Sequence, residues 1–148
     1  MNTPSNEAIC VEMYLDAPVS NVWQAWTDAS LALKWFGSEP ETVGLHAIMD
    51  VRPGGSYSVS FRDTNGTEHT CSGVYSTVEK DHKLSFSWVW KSEPGVESFV
   101  SVELRPEDSG TLMRFRHADT GTESAHQYSE AWKGTFKRLD KLLQSTPQ

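Results

Sequence analysis

The chain has 148 residues, which predicts one domain over residues 1–148, with loose ends at 1–7 and 145–148 and enough length to bury a continuous core. Its formal net charge of -7 and its pI near 5.1 argue against nucleic acid or an anionic membrane surface as the main partner. No apolar run is long enough to span a bilayer, the N-terminus does not have the composition of a signal peptide, and Cys10 and Cys71 form no paired motif, which together predict a cytoplasmic protein with free thiols.

The N-terminal part of the chain predicts a strand followed by two short helices. Residues 8–16 (AICVEMYLD) alternate between apolar and polar side chains, as in a half-buried strand. The apolar residues of 18–28 (PVSNVWQAWTD) then recur at helical spacing. Asp28 is placed to cap a second helix, and Gly37 is placed to end it.

Beyond residue 44 the apolar period changes to two, which predicts six further strands in antiparallel order. These segments are 45–51, 56–63, 68–79, 83–90, 97–105 and 111–118. The pair Gly54–Gly55 marks a bend, and Asn65–Gly66 is a strong hairpin signal. In 56–63 the bulky residues Tyr57, Val59 and Phe61 alternate with serines, so one face of this strand is aromatic and the other is hydroxylated.

The chain ends in a long amphipathic helix. Thr120 and Glu123 match a capping box, and several basic residues late in the helix, Arg138 among them, suit its dipole. Its apolar stripe comprises Ala125, Tyr128, Trp132, Phe136, Leu139 and Leu143. Because a sheet with one apolar face needs a cover, we predict an α+β fold in which a curved antiparallel sheet wraps around this C-terminal helix.

These segments resemble a known family in their order along the chain. The matching segments are 17–28, 33–37, 51–79, 83–88, 109–119 and 130–143. On them the chain resembles the activator of heat-shock protein 90 ATPase homologue family, within the SRPBCC superfamily of START-like and birch-pollen-allergen-like proteins. The resemblance implies a helix-grip architecture with a hydrophobic cavity between the sheet and the terminal helix.

The resemblance leaves several functions open, because fold alone does not choose among them. Members of this superfamily carry lipids, sterols or polyketides, some act as cyclases or hydrolases, and some bind chaperones. Because the resemblance implies a hydrophobic cavity, we expect a protein that binds a small hydrophobic or amphipathic molecule. An enzyme, a chaperone-interacting protein and a homodimer remain alternatives.

The candidate ligand-binding residues are mostly aromatic side chains on the predicted inner face of the sheet and on the terminal helix. They are Tyr57, Phe61, Phe86, Trp88, Trp90, His117, Tyr128 and Trp132. A filled core is the alternative interpretation of the same rings. His117 follows Met113 and Phe115 at strand period, so it should point inward.

His117 could orient a ligand, act as an acid or base in the enzyme alternative, or be a structural histidine at the sheet rim. The sequence contains no GxSxG, GxGxxG, phosphate-binding loop or HExxH motif. We therefore assign no catalytic residue, metal or cofactor from the sequence.

Overall fold

A computed structural model describes residues 9–37, 41–118 and 128–145, with the backbone alone for Tyr128, Ser129 and Ser145. Its elements are β1 (Ile9–Leu15), α1 (Val19–Thr27), α2 (Ala29–Trp35), β2 (Val43–Met49), β3 (Ser56–Arg62), β4 (Glu68–Glu79), β5 (Lys83–Trp90), β6 (Glu97–Glu107), β7 (Gly110–Ala118) and α3 (Tyr128–Ser145). The predicted order of elements is confirmed. The Thr120–Glu123 capping box and Ala125 lie outside the described residues.

The seven strands form one antiparallel sheet in the order β1-β7-β6-β5-β4-β3-β2. The sheet is curved and unclosed, and the long helix α3 packs on its inner face, which confirms the α+β helix-grip prediction. In the described ranges, no helix combines the length and the apolar character that crossing a membrane requires.

The register of β3 explains its two unlike faces. Tyr57, Val59 and Phe61 are buried on the inner face, and Ser58 lies opposite Ser72 of β4 on the outer face. A bulge in β2 between Gly44 and His46 sets the parity of the neighbouring edge strand. The inner face of β3 is therefore apolar, whereas its outer face carries small hydroxylated side chains.

The predicted cap and stop of α2 are both confirmed. The Asp28 carboxylate accepts the backbone N–H groups of Ser30 and Leu31 at 2.9 and 3.3 Å. Gly37 follows the helix with φ +105, a conformation that glycine adopts without strain. These two residues fix the length of α2 and so the point at which the chain turns toward β2.

Arg138 of α3 fastens the end of α2 to the terminal helix. Its guanidinium donates to the backbone carbonyls of Phe36 at 2.7 Å, Lys34 at 3.1 Å and Thr42 at 3.0 Å. The carbonyls of Lys34 and Phe36 lie at the end of α2, where a helix leaves acceptors unpaired, and that of Thr42 lies just before β2. Arg138 therefore holds two elements that lie far apart in sequence, a role beyond the dipole interaction that the sequence indicated.

The short helices contribute large rings to the core. Trp26 of α1 lies edge-on to Trp35 of α2, with ring centroids 4.8 Å apart. The Trp35 indole N–H donates to the Ala25 carbonyl at 2.9 Å, which locks the two helices together. Trp26 also stacks on Phe115 of β7 at 6.3 Å, so α1 packs against the inner face of the sheet.

Candidate functional site

The predicted ligand-binding residues lie together in one buried cluster, which we call the aromatic interior. Its described members are Tyr57, Phe61, Phe86, Trp88, Trp90, His117 and Trp132, none of them more than 6% exposed. The side chain of Tyr128 lies outside the described part of the structure. Three elements meet here, because Trp88 of β5 is 5.7 Å from His117 of β7 and 5.2 Å from Trp132 of α3 between ring centroids.

The aromatic interior has two ends. At one end Tyr57 lies 5.3 Å from Phe86, and the Tyr57 hydroxyl donates to the Ser87 carbonyl at 2.7 Å. At the other end Phe61 lies 6.0 Å from Trp90. Tyr57 and Phe61 are four residues apart on β3, so the two ends are separated by roughly 13 Å along the strand.

His117 is the polar centre of the aromatic interior and is fully buried. The Trp132 indole N–H donates to its Nδ1 at 2.9 Å, and its Nε2 lies 2.7 Å from the Ser98 hydroxyl. An indole nitrogen only donates, so Nδ1 must accept and the network assigns the ring proton to Nε2. Nε2 then donates to Ser98, whose hydroxyl donates to the Trp88 carbonyl at 3.2 Å.

Burial lowers the pKa of His117 to about 3, well below the ordinary value for histidine. Protonation of Nδ1 would also place two donors against each other at the contact with Trp132. The imidazole is therefore neutral at physiological pH. This arrangement favours a structural or orienting role for His117 over the acid or base role that the enzyme alternative requires, and it places the ring deeper than the rim position considered above.

The indole Nε1 donors of Trp26 and Trp88 are buried in this region without a hydrogen-bond partner among the described residues. A buried donor left unpaired costs about 1–3 kcal/mol, and native structures contain few of them. Each is thus a place where an acceptor oxygen from outside the chain would be stabilised.

A small cavity adjoins the Tyr57 end of the aromatic interior. Its volume is about 10 Å³, and it is lined by Trp26, Phe36, Met49, Tyr57, Tyr75 and Phe86. That volume is close to the least that a single water molecule needs. A larger molecule could enter only if some of these rings moved, so the open hydrophobic cavity implied by the resemblance stays a prediction.

Ser98, Trp26 and His69 were not singled out from the sequence. Ser98 occupies the same inward row of β6 as Val100 and Val102, so its inward position could have been found from strand parity. His69 lies opposite Phe61, whose side chain faces inward. Trp26 belongs to the apolar stripe of α1, but its unpaired N–H depends on packing that no local pattern indicates.

The titratable groups of the described residues do not gather into a metal site. In those ranges no group of three or more His, Cys, Asp or Glu side chains is placed to hold an ion. Cys71 is buried in the aromatic interior next to Trp90 in the register, and burial raises the pKa of its thiol. Cys71 is therefore an unreactive apolar side chain at neutral pH.

Comparisons with known proteins agree with this architecture. A family model described as Activator of Hsp90 ATPase homolog 1-like protein matches residues 16–144. A protein from Chromobacterium violaceum is similar in structure, with a TM-score of 0.80, 21% identity, and coverage of 95% of this chain and 99% of that one. No curated protein matches the sequence.

Two further proteins of known structure are similar to this chain. CalU16 from Micromonospora echinospora is 27% identical, with a TM-score of 0.69 and coverage of 98% of this chain and 82% of that one. DynU16, described as a protein of the dynemicin biosynthetic locus, is 24% identical, with a TM-score of 0.76 and coverage of 95% of this chain and 48% of that one. These likenesses establish the fold.

Proposed function

Since the chain belongs to the family of Activator of Hsp90 ATPase homolog 1-like proteins, we propose that it binds a small hydrophobic or amphipathic molecule in the aromatic interior, between the sheet and α3. The fold of this family often binds hydrophobic ligands. The single observation that carries the proposal is the pair of buried, unpaired indole donors of Trp26 and Trp88. A ligand with an apolar body and an acceptor oxygen would satisfy at least one of them.

Burial of the apolar body would supply most of the binding free energy. Each Å² of apolar surface removed from water contributes about 25 cal/mol before ordering costs are subtracted. The rings of Trp88, Trp132 and Phe115 already contact one another, with Phe115 and Trp132 centroids 4.5 Å apart. Because the interior is nearly filled, entry requires rings to move, and we expect association slower than the 10⁵–10⁷ M⁻¹s⁻¹ that is typical when no rearrangement is needed.

The enzyme alternative receives less support from this geometry. His117 is neutral, and both of its ring nitrogens are engaged, one by Trp132 and the other by Ser98. A general base needs a pKa near the operating pH, whereas burial lowers that of His117 to about 3. His117 is better suited to hold Trp132 in the wall of a binding site.

Chaperone binding is a second candidate, favoured by the family relation and by apolar side chains on the outer face of the sheet. Ile48, Val74 and Phe99 are exposed there, at 59%, 48% and 47%. Titration of purified Hsp90 with the wild-type chain and with Phe99→Ser separates this candidate from ligand binding. A chaperone interface on this face would weaken in the variant, whereas ligand binding in the interior would not change.

The proposed function is tested by native mass spectrometry of the protein purified from its own host. A bound small molecule is expected as a discrete mass difference that disappears on denaturation. In parallel, thermal unfolding is measured with increasing 2-naphthol, which should raise the Tm with concentration as binding linkage requires. A protein that carries no adduct and shows no shift with 2-naphthol would contradict the proposal.

A further inference from the structure

A histidine–carboxylate pair lies at the Phe61 end of the aromatic interior. His69 of β4 faces the same side of the sheet as Phe61, its partner in the register. Its ring is 5.6 Å from Phe61 and 5.9 Å from Trp90 between centroids, and its Nε2 lies 2.8 Å from the Asp63 carboxylate. The side chains of His69 and Asp63 are each 21% exposed, so this pair lies where the aromatic interior meets solvent.

The β3–β4 hairpin holds Asp63 in place. One carboxylate oxygen accepts the backbone N–H of Thr67 at 3.0 Å and that of Asn65 at 3.2 Å, while the other faces His69. The hydrogen bond with His69, followed by those with the backbone, holds the pKa of Asp63 below its ordinary value. Asp63 is thus an ionised acceptor at neutral pH with a fixed orientation.

An ionised carboxylate beside Nε2 determines which nitrogen of neutral His69 carries the proton. Because Asp63 can only accept, Nε2 must donate, and Nδ1 keeps its lone pair. The two flanking rings and the carboxylate together restrict the orientation of the imidazole. A ligand hydroxyl that donates to Nδ1 would take the place of whatever contacts this nitrogen in the unliganded protein.

We propose that His69, oriented by Asp63, recognises a hydroxyl group at the polar end of the ligand, the hydroxyl donating to Nδ1 while the apolar body enters among the rings of Phe61 and Trp90. This inference rests on the proposed function and narrows the ligand to a phenol or alcohol on an apolar skeleton. The partly exposed position suits the polar end of such a molecule, whereas the fully buried His117 suits contact with its body.

The alternative role of the His69–Asp63 pair is only to close the β3–β4 hairpin. A substitution that changes the tautomer of His69 distinguishes this role from ligand recognition. In Asp63→Asn the side-chain oxygen can still accept from Thr67 and Asn65, while the amide group donates to Nε2 of His69. Nε2 then becomes the acceptor, and the proton moves to Nδ1, which can no longer accept from a ligand hydroxyl. The hairpin is preserved and only the polarity of the recognising nitrogen is reversed.

The experiment compares two probes that differ in one donor, 2-naphthol and 2-methoxynaphthalene, by titration at about pH 8. Wild-type protein should prefer 2-naphthol by about tenfold, the effect of one hydrogen bond. Asp63→Asn and His69→Gln should reduce this preference to about twofold or less. Glu68→Gln, which removes the same charge from an exposed neighbour on the hairpin, should retain it.

Two-dimensional long-range ¹H–¹⁵N NMR reports the chemical shifts of the imidazole nitrogens of His69. If the His69–Asp63 pair is purely structural, these shifts should not change when a ligand binds. The Nδ1 resonance of His69 should shift when 2-naphthol binds to the wild type, and the tautomer should be reversed in Asp63→Asn. Equal affinity of the wild type for the two probes would overturn this inference while leaving the proposed function standing. Failure of both probes to bind saturably would overturn this inference, and it would overturn the proposed function as well if the purified protein also carries no bound small molecule.

Discussion

The Trp132 indole nitrogen lies 2.9 Å from Nδ1 of His117, and this hydrogen bond joins the terminal helix to the sheet inside an otherwise apolar interior. It is continued through Ser98 to the Trp88 carbonyl, so a polar chain crosses from α3 through β7 and β6 to β5. Each donor in this chain has an acceptor, which is the condition under which a buried polar network is stabilising. The nearby indole group of Trp88 has no such acceptor among the described residues.

This difference predicts that Trp→Phe lowers the free energy of unfolding by different amounts at positions 132 and 88. Trp132→Phe removes the donor to His117 and leaves Nδ1 buried and unpaired, in addition to creating a small void. Trp88→Phe creates a similar void but removes an unpaired donor. We expect Trp132→Phe to lower the free energy of unfolding by about 2 kcal/mol more than Trp88→Phe does. Urea denaturation of both variants measures the difference, and equal losses would contradict the assigned network.

The neutral state of His117 predicts a pH dependence of stability. Its pKa is about 3 in the folded protein and near 6.5 when unfolded, so between these values the unfolded chain binds more protons. Stability therefore falls as the pH decreases through this window. The expected loss between about pH 7 and pH 5 is about 2 kcal/mol. The pKa values of Asp28 and Asp63 are also lowered, but the stability that these carboxylates contribute is lost only as the pH falls below about 5.

His117→Asn isolates this contribution. The amide oxygen of asparagine can still accept from Trp132, but the side chain does not titrate. The variant should be less stable than wild type at neutral pH, with a smaller slope of the free energy of unfolding against pH between about 5 and 7. His82→Asn, at an exposed position in the β4–β5 turn, is the matched control and should retain the wild-type slope.

The strands and their inward rows could be predicted because strand parity is local information. A period of two from Leu84 to Trp90 is enough to place their side chains on one face, whatever the rest of the chain does. The cap at Asp28 and the stop at Gly37 were equally local, since each depends on a few neighbouring residues.

The density of the interior and the contacts that bridge distant elements could not be predicted in the same way. Whether rings from Trp88 and Trp132 leave a space between them depends on the distance between β5 and α3, which no residue pattern specifies. The role of Arg138 was missed for a similar reason. Its acceptors are backbone carbonyls about a hundred positions earlier, and a carbonyl has no sequence signature.

Arg138 leads to a prediction about how the helices are held. Its planar guanidinium donates to backbone carbonyls at the end of α2 and at Thr42. A lysine ammonium could satisfy only some of these acceptors. We expect Arg138→Lys to lower the free energy of unfolding by about 1–3 kcal/mol. Lys137→Gln, at the exposed neighbouring position, should change it by less than about 0.5 kcal/mol. Hydrogen exchange at the amides of 32–36 should increase in Arg138→Lys alone, and an equal increase in both variants would contradict this anchor.

The last prediction concerns how a ligand enters an interior that is nearly filled. Phe36 lines the small cavity, and Phe136 is equally buried on α3, where it packs on Phe115 at 4.9 Å. Phe36→Leu and Phe136→Leu should each cost about 1–2 kcal/mol of stability. If ring displacement at the cavity limits entry, only Phe36→Leu should accelerate the association of 2-naphthol. The association rate is measured by stopped-flow tryptophan fluorescence. Equal acceleration in both variants would instead indicate that entry follows a general loosening of the core, because the two substitutions share their chemistry and differ only in place.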